Sequence, residues 1–345
     1  MKILPRILPR ILTCLLLAAC AGAVQAQSAA PTKLKFVLDW KFQGLHAWFI
    51  TAQEKGYFAQ EGLDVSIDSG DGSAAAVTKV ATGAYDAGFG DMSAIIQMAA
   101  TSPSTAPVGV FMLYNRSPFV IVSKKDHNIV KPKDLEGKLL GSPANGATYK
   151  LFPAFAKAAG IDASKVRITN IAANLQETML VRGDVDFLAA FVNTIWFSIK
   201  PLKVDPEKDL NLIYFADYGI DLYSNGVLVS QNLIKTNPAA VKGLVRAINR
   251  AMTEVLANPD AAIEAVAKRD PLIDKVLEKE RLLMTYKLLI ATPEAKELGI
   301  GDVKDERMAR SIKTVSEVYG LTTPPKPQDV FSRAFLPPKA ERAVR

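Results

Sequence analysis

Two stretches of the chain carry most of the residues suited to holding a small molecule. Gly70-Asp71-Gly72-Ser73 runs into Ala74-Ala75-Ala76. Glycine lets a backbone approach a ligand, Ser73 is placed to cap the helix behind it, and the unpaired N–H groups of that helix start attract a carboxylate, sulfonate or phosphate. An ordinary capped helix with nothing bound fits the same residues. Upstream, Asp39 and Trp40 are followed by Phe42, His46 and Trp48; further on, Asn145-Gly146-Ala147-Thr148 leads to Tyr149, and Phe191, Asn193 and Trp196 share one loop. Small-molecule pockets are mostly apolar with a few placed polar groups, so these rings suit a planar or aromatic ligand. Trp48, at helical spacing from Leu45 and Ala52, reads as core, whereas Trp40 and Phe42 lie in the loop itself. His46 reads equally as a ligand donor and as a satisfied structural histidine. Asp39 and Asp91 read as acceptors or loop-fixing groups.

Catalysis finds little support in the same inventory. His46 and His127 are the only histidines, and neither has a metal-site spacing such as HExxH. A Ser-His-Asp triad would need one of them, yet no G-x-S-x-G elbow is present. The Gly70 loop lacks the third glycine of a dinucleotide fingerprint, and there is no Walker A segment. Both cysteines, Cys14 and Cys20, fall near the start of the chain, so no thiol nucleophile follows. The residues therefore favour recognition over reaction, with no metal and no cofactor.

The elements that must position these residues alternate between strand and helix, the signature of α/β architecture. Strands are expected at Leu34–Leu38, Leu63–Ile67, Tyr85–Phe89 and Val108–Leu113, with helices near Ser73–Ala81 and Asp91–Ala100. The pattern then begins again. Gly83-x-x-Asp86 returns a hundred residues later as Gly183-x-x-Asp186, and the Tyr57-to-Asp64 stretch resembles Ala154 to Asp162. Two lobes of similar topology follow: 33–123 and 225–323 for the first, its second part helical, and 124–224 for the second. A proline-bearing tail, 324–345, is expected to be extended and peripheral. Ligands of open sheets bind beyond the carboxyl ends of the strands. The cleft loops are then Trp40–Leu45, Ser69–Ala74, Gly90–Ser93, Ser142–Tyr149, Asn170–Leu175 and Phe191–Trp196. Tyr218 and Tyr223 lie at the return crossing, where they touch ligand or build the hinge.

With 345 residues, 49% of them hydrophobic and 22% charged, the chain has material for about two domains and is no disordered tail. The first 26 residues hold Lys2, Arg6 and Arg10, no acid, an apolar run from Ile11 to Ala19, and small residues at Val24 and Ala26. That order predicts a secretory signal peptide over 1–26. Its removal takes three cations from a net +7, leaving a dispersed +4 that gives no footprint for nucleic acid. Leu17-Ala18-Ala19-Cys20 competes as a lipobox, in which Cys20 would carry a lipid. Either route predicts a periplasmic protein that meets a membrane only through a partner or that lipid.

Asp39-Trp40 with His46, Glu54-Lys55-Gly56-Tyr57-Phe58, Glu61-Gly62-Leu63-Asp64-Val65, Gly72-Ser73-Ala74, Gly83-x-x-Asp86 and Asp134-Leu135-Glu136-Gly137-Lys138 together resemble the substrate-binding proteins of ABC importers for nitrate, sulfonates, taurine and thiamine-pyrimidine precursors, the SsuA/THI5-like or NMT1 family. The likeness covers roughly 33–259. It implies a type II periplasmic-binding fold, two α/β lobes that close on one small molecule like a Venus flytrap, monomeric and docking on a permease. It also implies cleft positions for Asp39, Trp40, His46, Gly72-Ser73-Ala74, Asp91 and Asn145-Gly146. The ligand classes it implies are an aromatic acid, a pyrimidine precursor or a sulfonate. Lys41-Phe42-Gln43 replaces the family's usual Pro-Asn type turn. Enzymes of thiamine-pyrimidine synthesis share the fold and are the alternative, but those carry a cysteine-rich iron motif that this sequence lacks.

Overall fold

β1 (Thr32–Val37) buries Leu34 and Phe36 while Lys33 and Lys35 face solvent. β2 (Leu63–Asp68) alternates strictly, with Leu63, Val65 and Ile67 inward, as suits an outer strand with one wet face. β3 (Ala87–Asp91) is buried throughout. The computed structural model describes residues 30–345, of which Thr32–Arg345 form one unit. The expected leader over 1–26, with Cys14 and Cys20, lies outside the described residues.

The other strands are β4 (Val108–Met112), β5 (Phe119–Lys124), β6 (Leu139–Ser142), β7 (Arg167–Asn170), β8 (Phe187–Phe191), β9 (Leu210–Tyr214) and β10 (Asn225–Val229). They build two five-stranded sheets of one pattern, β2-β1-β3-β10-β4 and β7-β6-β8-β5-β9. In each sheet the first three strands are parallel, and the next, β10 or β5, runs antiparallel to its neighbours. β5 leaves β4 to pair in the second sheet, so the chain crosses between lobes before Phe119, ahead of the expected 123/124 boundary. It returns just before Asn225.

The repeated Gly-x-x-Asp motif has one physical job in both lobes. Gly83 and Gly183 turn the chain with φ of 77° and 78°. Asp86 then accepts the Lys35 N–H of β1 at 2.8 Å, and Asp186 accepts the Leu139 N–H of β6 at 2.7 Å. Each aspartate ties the start of its own strand to the strand beside it, β1 or β6.

The longer helices are α1 (Ala47–Glu54), α2 (Ser73–Ala81), α3 (Met92–Thr101), α4 (Ala147–Ala158), α5 (Gln176–Arg182), α6 (Val192–Ser198), α7 (Pro238–Ala257), α8 (Pro259–Ala267), α9 (Lys275–Thr285) and α10 (Asp305–Tyr319). α7 starts at an Asn237 cap and buries Val241, Leu244, Val245 and Ile248, a helical stripe facing α1 and the first sheet. Trp48 is fully buried in that core, beside Phe36, Phe49 and Phe89, whose rings lie 5.1 and 5.2 Å apart along the series. α9 runs directly into a π-turn at Tyr286–Ile290. Among the described residues no helix is long and apolar enough to cross a membrane.

The tail departs from expectation. Residues 324–345 form short helical turns anchored to the body of the protein: Phe331 and Phe335 are buried against the first lobe, and Phe331 bridges to Gly109 of β4. Arg342 is buried too, donating to the Pro337 and Ile300 carbonyls at 2.7 Å each. Two phenylalanines and a buried, hydrogen-bonded guanidinium outweigh the proline content that suggested a loose strap.

Candidate ligand-binding cleft

Asp39 stands just beyond the carboxyl end of β1, and the turn after it is fixed by the Asp39 and Trp40 carbonyls, which accept the Gly72 and Gly70 N–H groups at 2.9 Å. Its carboxylate is held from two sides. The Gln43 N–H donates to His46 Nδ1 at 3.2 Å, which leaves Nε2–H to donate to Asp39 Oδ1 at 2.7 Å. Asn225, first residue of β10, donates its Nδ2 to Asp39 Oδ2 at 2.7 Å. Each oxygen keeps a lone pair, and Asp39 lines a cavity between the lobes.

The first lobe also contributes Trp40, Leu45 and Ser73 to this cavity. The facing lobe supplies Gly146, Ala147 and Thr148 at the start of α4, Ala190 and Phe191 at the end of β8, and Thr194 in α6. Gln176, first residue of α5, closes one side. It is 4% exposed. The Trp40 indole N–H lacks an acceptor among the described residues. Phe191 is held edge-on by Phe119 and Tyr114, at 5.4 and 6.4 Å between ring centres. One aromatic ring from each lobe thus faces the cavity. Among the described residues, Asp39 is the only charged one in its lining.

Of the residues expected in the cleft, Asp39, Trp40, Ser73, Gly146 and Phe191 line the cavity, and the others fall elsewhere. Ser73 opens α2 as its first residue; the cap position is Gly72, which has no side chain to cap with. Gly72 lies against the opposite lobe, where a Cβ would overlap the Asn145 carbonyl and come within 2.7 Å of its carbon. His46 is fully buried behind Asp39, so it positions the carboxylate. Asp91 is also fully buried and caps α3, accepting from Ser93 N at 2.9 Å and Ser224 Oγ at 3.0 Å. Burial pushes its carboxyl pKa up, against the pull of those serine hydrogen bonds.

Asn193 is buried where α6 meets α9, donating to Tyr114 OH at 3.3 Å and to Thr285 Oγ1 at 3.2 Å. Phe42 packs on the first-lobe core, and Tyr149 and Tyr218 on the core beneath the second sheet; apolar burial, open to each ring on its own side, draws all three away from the cavity. Ala74 faces a separate groove alongside Thr78 and Thr82, and Trp196 is half-buried outside the lining. Sequence reasoning misses Gln176 and Thr194. The signal for Gln176 is its place one residue past the Asn170–Leu175 loop, and Thr194 lies inside the Phe191–Trp196 loop.

This arrangement offers acceptors and donors between two rings, with a negative charge on one wall. The family model described as NMT1/THI5 like matches residues 43–262. The chain belongs to the NMT1/THI5-like family. It is similar to the riboflavin-binding protein RibY of Chloroflexus aurantiacus, 26% identical, with 93% of this chain and 91% of that protein covered. It is also similar to the formylaminopyrimidine-binding protein of Halalkalibacterium halodurans, 25% identical over 82% and 86% of the two chains. A 4-amino-5-hydroxymethyl-2-methylpyrimidine phosphate synthase of Aspergillus parasiticus is 25% identical over 70% and 72%. In structure the chain resembles the alkanesulfonate-binding protein SsuA of Xanthomonas axonopodis bound to MOPS, with a TM-score of 0.66 at 14% identity, covering 88% of this chain and all of that one. The fold is that of the periplasmic binding proteins, a two-lobed Venus flytrap, as the sequence led one to expect.

Proposed function

We propose that this protein is the extracytoplasmic solute-binding component of an ABC importer, and that it captures an uncharged planar nitrogen heterocycle bearing N–H donors. Asp39 carries the reading. Among the described residues it is the one charge in the cavity lining, its two oxygens are oriented by His46 and Asn225, and both retain lone pairs for ligand N–H groups. An oxyanion held about 4 Å from this carboxylate would meet a repulsion of about 4 kcal/mol at an effective dielectric of 20. That cost weighs against nitrate, sulfonate or a simple aromatic acid as ligand, although the free N–H groups at the start of α2 would attract one. Trp40 and Phe191 supply flat apolar faces, and the Gln176 carboxamide supplies a donor and an acceptor for ring edges. The flavin and pyrimidine binders among the relatives support the same class.

In this reading the signal peptide exports the chain, the closed form delivers its ligand to a permease, and the protein acts as a monomer without turnover. The synthase relatives favour an enzyme instead, but among the described residues no lysine or cysteine lines the cavity, and a fold built to close on a ligand serves capture without further chemistry.

Isothermal titration with riboflavin, formylaminopyrimidine, ethanesulfonate and nitrate tests the proposal. Saturable binding of a heterocycle, lost in Asp39→Asn, is the expected result. Tight binding of an anion with silence toward both heterocycles overturns the ligand class, and conversion of the pyrimidine to a product overturns the binding-only role.

A further inference from the structure

The most thoroughly buried pair of a guanidinium and a carboxylate among the described residues lies outside the cavity lining. Glu278 and Arg281, one turn apart on α9, are 6% and 1% exposed. Arg281 holds Glu278 with two prongs, Nε to Oε2 at 2.9 Å and Nη2 to Oε1 at 3.0 Å. The pair also reaches in two directions. Glu278 Oε2 accepts the Gly44 N–H at 2.6 Å, in the turn that carries Leu45 into the cavity and His46 to Asp39. Gly44 is pressed so close to α9 that a Cβ there would lie 2.8 Å from the Glu278 carbonyl carbon. On the other side, Arg281 Nη1 donates to the Asn193 and Thr194 carbonyls at 3.2 and 2.7 Å, and Nη2 donates to Ser198 Oγ at 3.2 Å. These three acceptors belong to α6 of the second lobe, and Thr194 is part of the cavity wall.

All five guanidinium N–H donors are thereby used, two on Glu278 and three on the opposite lobe. α9 itself belongs with the first lobe, where Leu282 enters that lobe's core. Separating the lobes would strip the fork of its three partners and bring water to a charge that is otherwise fully enclosed. A buried ion pair is weak evidence for stability, and its best-attested use is to select one arrangement over others.

We propose that Glu278 and Arg281 are positioning residues of the cleft: one ion pair fixes the Gly44–His46 turn that holds Asp39 and catches the Asn193–Thr194 turn of the facing wall, so that closure requires Arg281 to find both carbonyls. The proposal rests on the flytrap reading but not on the ligand class. Two variants separate the roles. Arg281→Lys keeps the charge and loses the fork. The double variant Glu278→Gln/Arg281→Met removes both charges, keeps an acceptor for Gly44, and leaves no stranded ion to unfold the chain.

No cysteine follows Cys20, so Lys242→Cys on α7 and Lys157→Cys on α4, both exposed, give two unique label sites in opposite lobes once the leader is omitted. Single-molecule energy transfer between them reads the closed-to-open ratio without ligand. The expected result is a measurable closed fraction in the otherwise unaltered protein and a ratio at least tenfold lower in both variants, with the melting temperature of the double variant within a few degrees. Riboflavin and formylaminopyrimidine serve as binding probes, and whichever binds should dissociate faster from the variants by a similar factor. An unaltered protein with no closed population, or variants whose ratio stays within twofold of it, overturns the assignment. Failure of both heterocycles to bind would count against the ligand class alone, because the ligand-free ratio by itself decides whether the ion pair holds the lobes together.

Discussion

Gly72→Ala places a methyl group where the two lobes touch. Gly72 has φ 156° and ψ 139°, a region open almost only to glycine, and a side chain forced into it costs about 1–3 kcal/mol. That strain acts with the lobes open or closed. The second penalty acts only on closure, because the new Cβ would overlap the Asn145 carbonyl and lie 2.9 Å from the Asn145 Cβ. Ordinary carbon contacts are about 3.5–4.0 Å, so the lobes must stop roughly 1 Å short, loosening the grip of both walls on the ligand. A loss of about 1.4–2.8 kcal/mol from the closed state weakens binding about 10- to 100-fold. Most of that should fall on the dissociation rate, since encounter occurs with the lobes apart. Stopped-flow tryptophan fluorescence gives both rates, and thermal melting of the ligand-free variant reports the backbone strain separately. A dissociation rate within twofold of the unaltered protein would refute the close approach of Gly72 and Asn145 as a condition of closure.

Asp39→Asn removes the only charge that the described residues place in the lining and should weaken a heterocycle by about 1.5–3 kcal/mol, the usual worth of a hydrogen bond to a charged group, while titration shows any anion binding unchanged or improved. Asp86→Ala and Asp186→Ala each free one strand N–H in the same way, so urea midpoints should report similar losses of about 1–2 kcal/mol in both. Asp91 contributes one pH dependence. Its folded pKa lies above its unfolded value, so its contribution is fully present below the unfolded value and lost as pH rises through the folded one. Asp91→Asn should therefore gain relative to the unaltered protein as pH rises above the ordinary carboxyl range in urea unfolding, and a difference independent of pH would contradict the buried-carboxyl account.

Much of the fold is legible because its signals are local. Alternation in Leu63–Ile67 and the α2 bounds depend on periods of two and 3.6 residues that a single chain displays. The repeated Gly-x-x-Asp can be seen as letters, and only the strand N–H it accepts explains why it recurs. The site is harder to read. Asp39 and Trp40 follow a strand directly, so the rule of strand ends finds them, whereas Phe42, Tyr149 and Tyr218 are aromatic loop or helix residues that core packing claims. Asn193 lies in the expected loop yet turns to Tyr114 and Thr285, which are far away in sequence. Glu278 and Arg281 give no signal at all, because an acid and a base three apart on a helix read as a solvated surface pair. The lobe crossing before Phe119 escapes for a related reason: exchange of one strand between sheets leaves no mark on that strand's own composition.

Native mass spectrometry of residues 27–345, given an equimolar mixture of riboflavin, formylaminopyrimidine and ethanesulfonate, tests the central claim most directly. One bound heterocycle per chain, recovered at unchanged mass after hours and absent in Asp39→Asn, is the predicted result. A sulfonate adduct in its place, or a heterocycle released with altered mass, would contradict it.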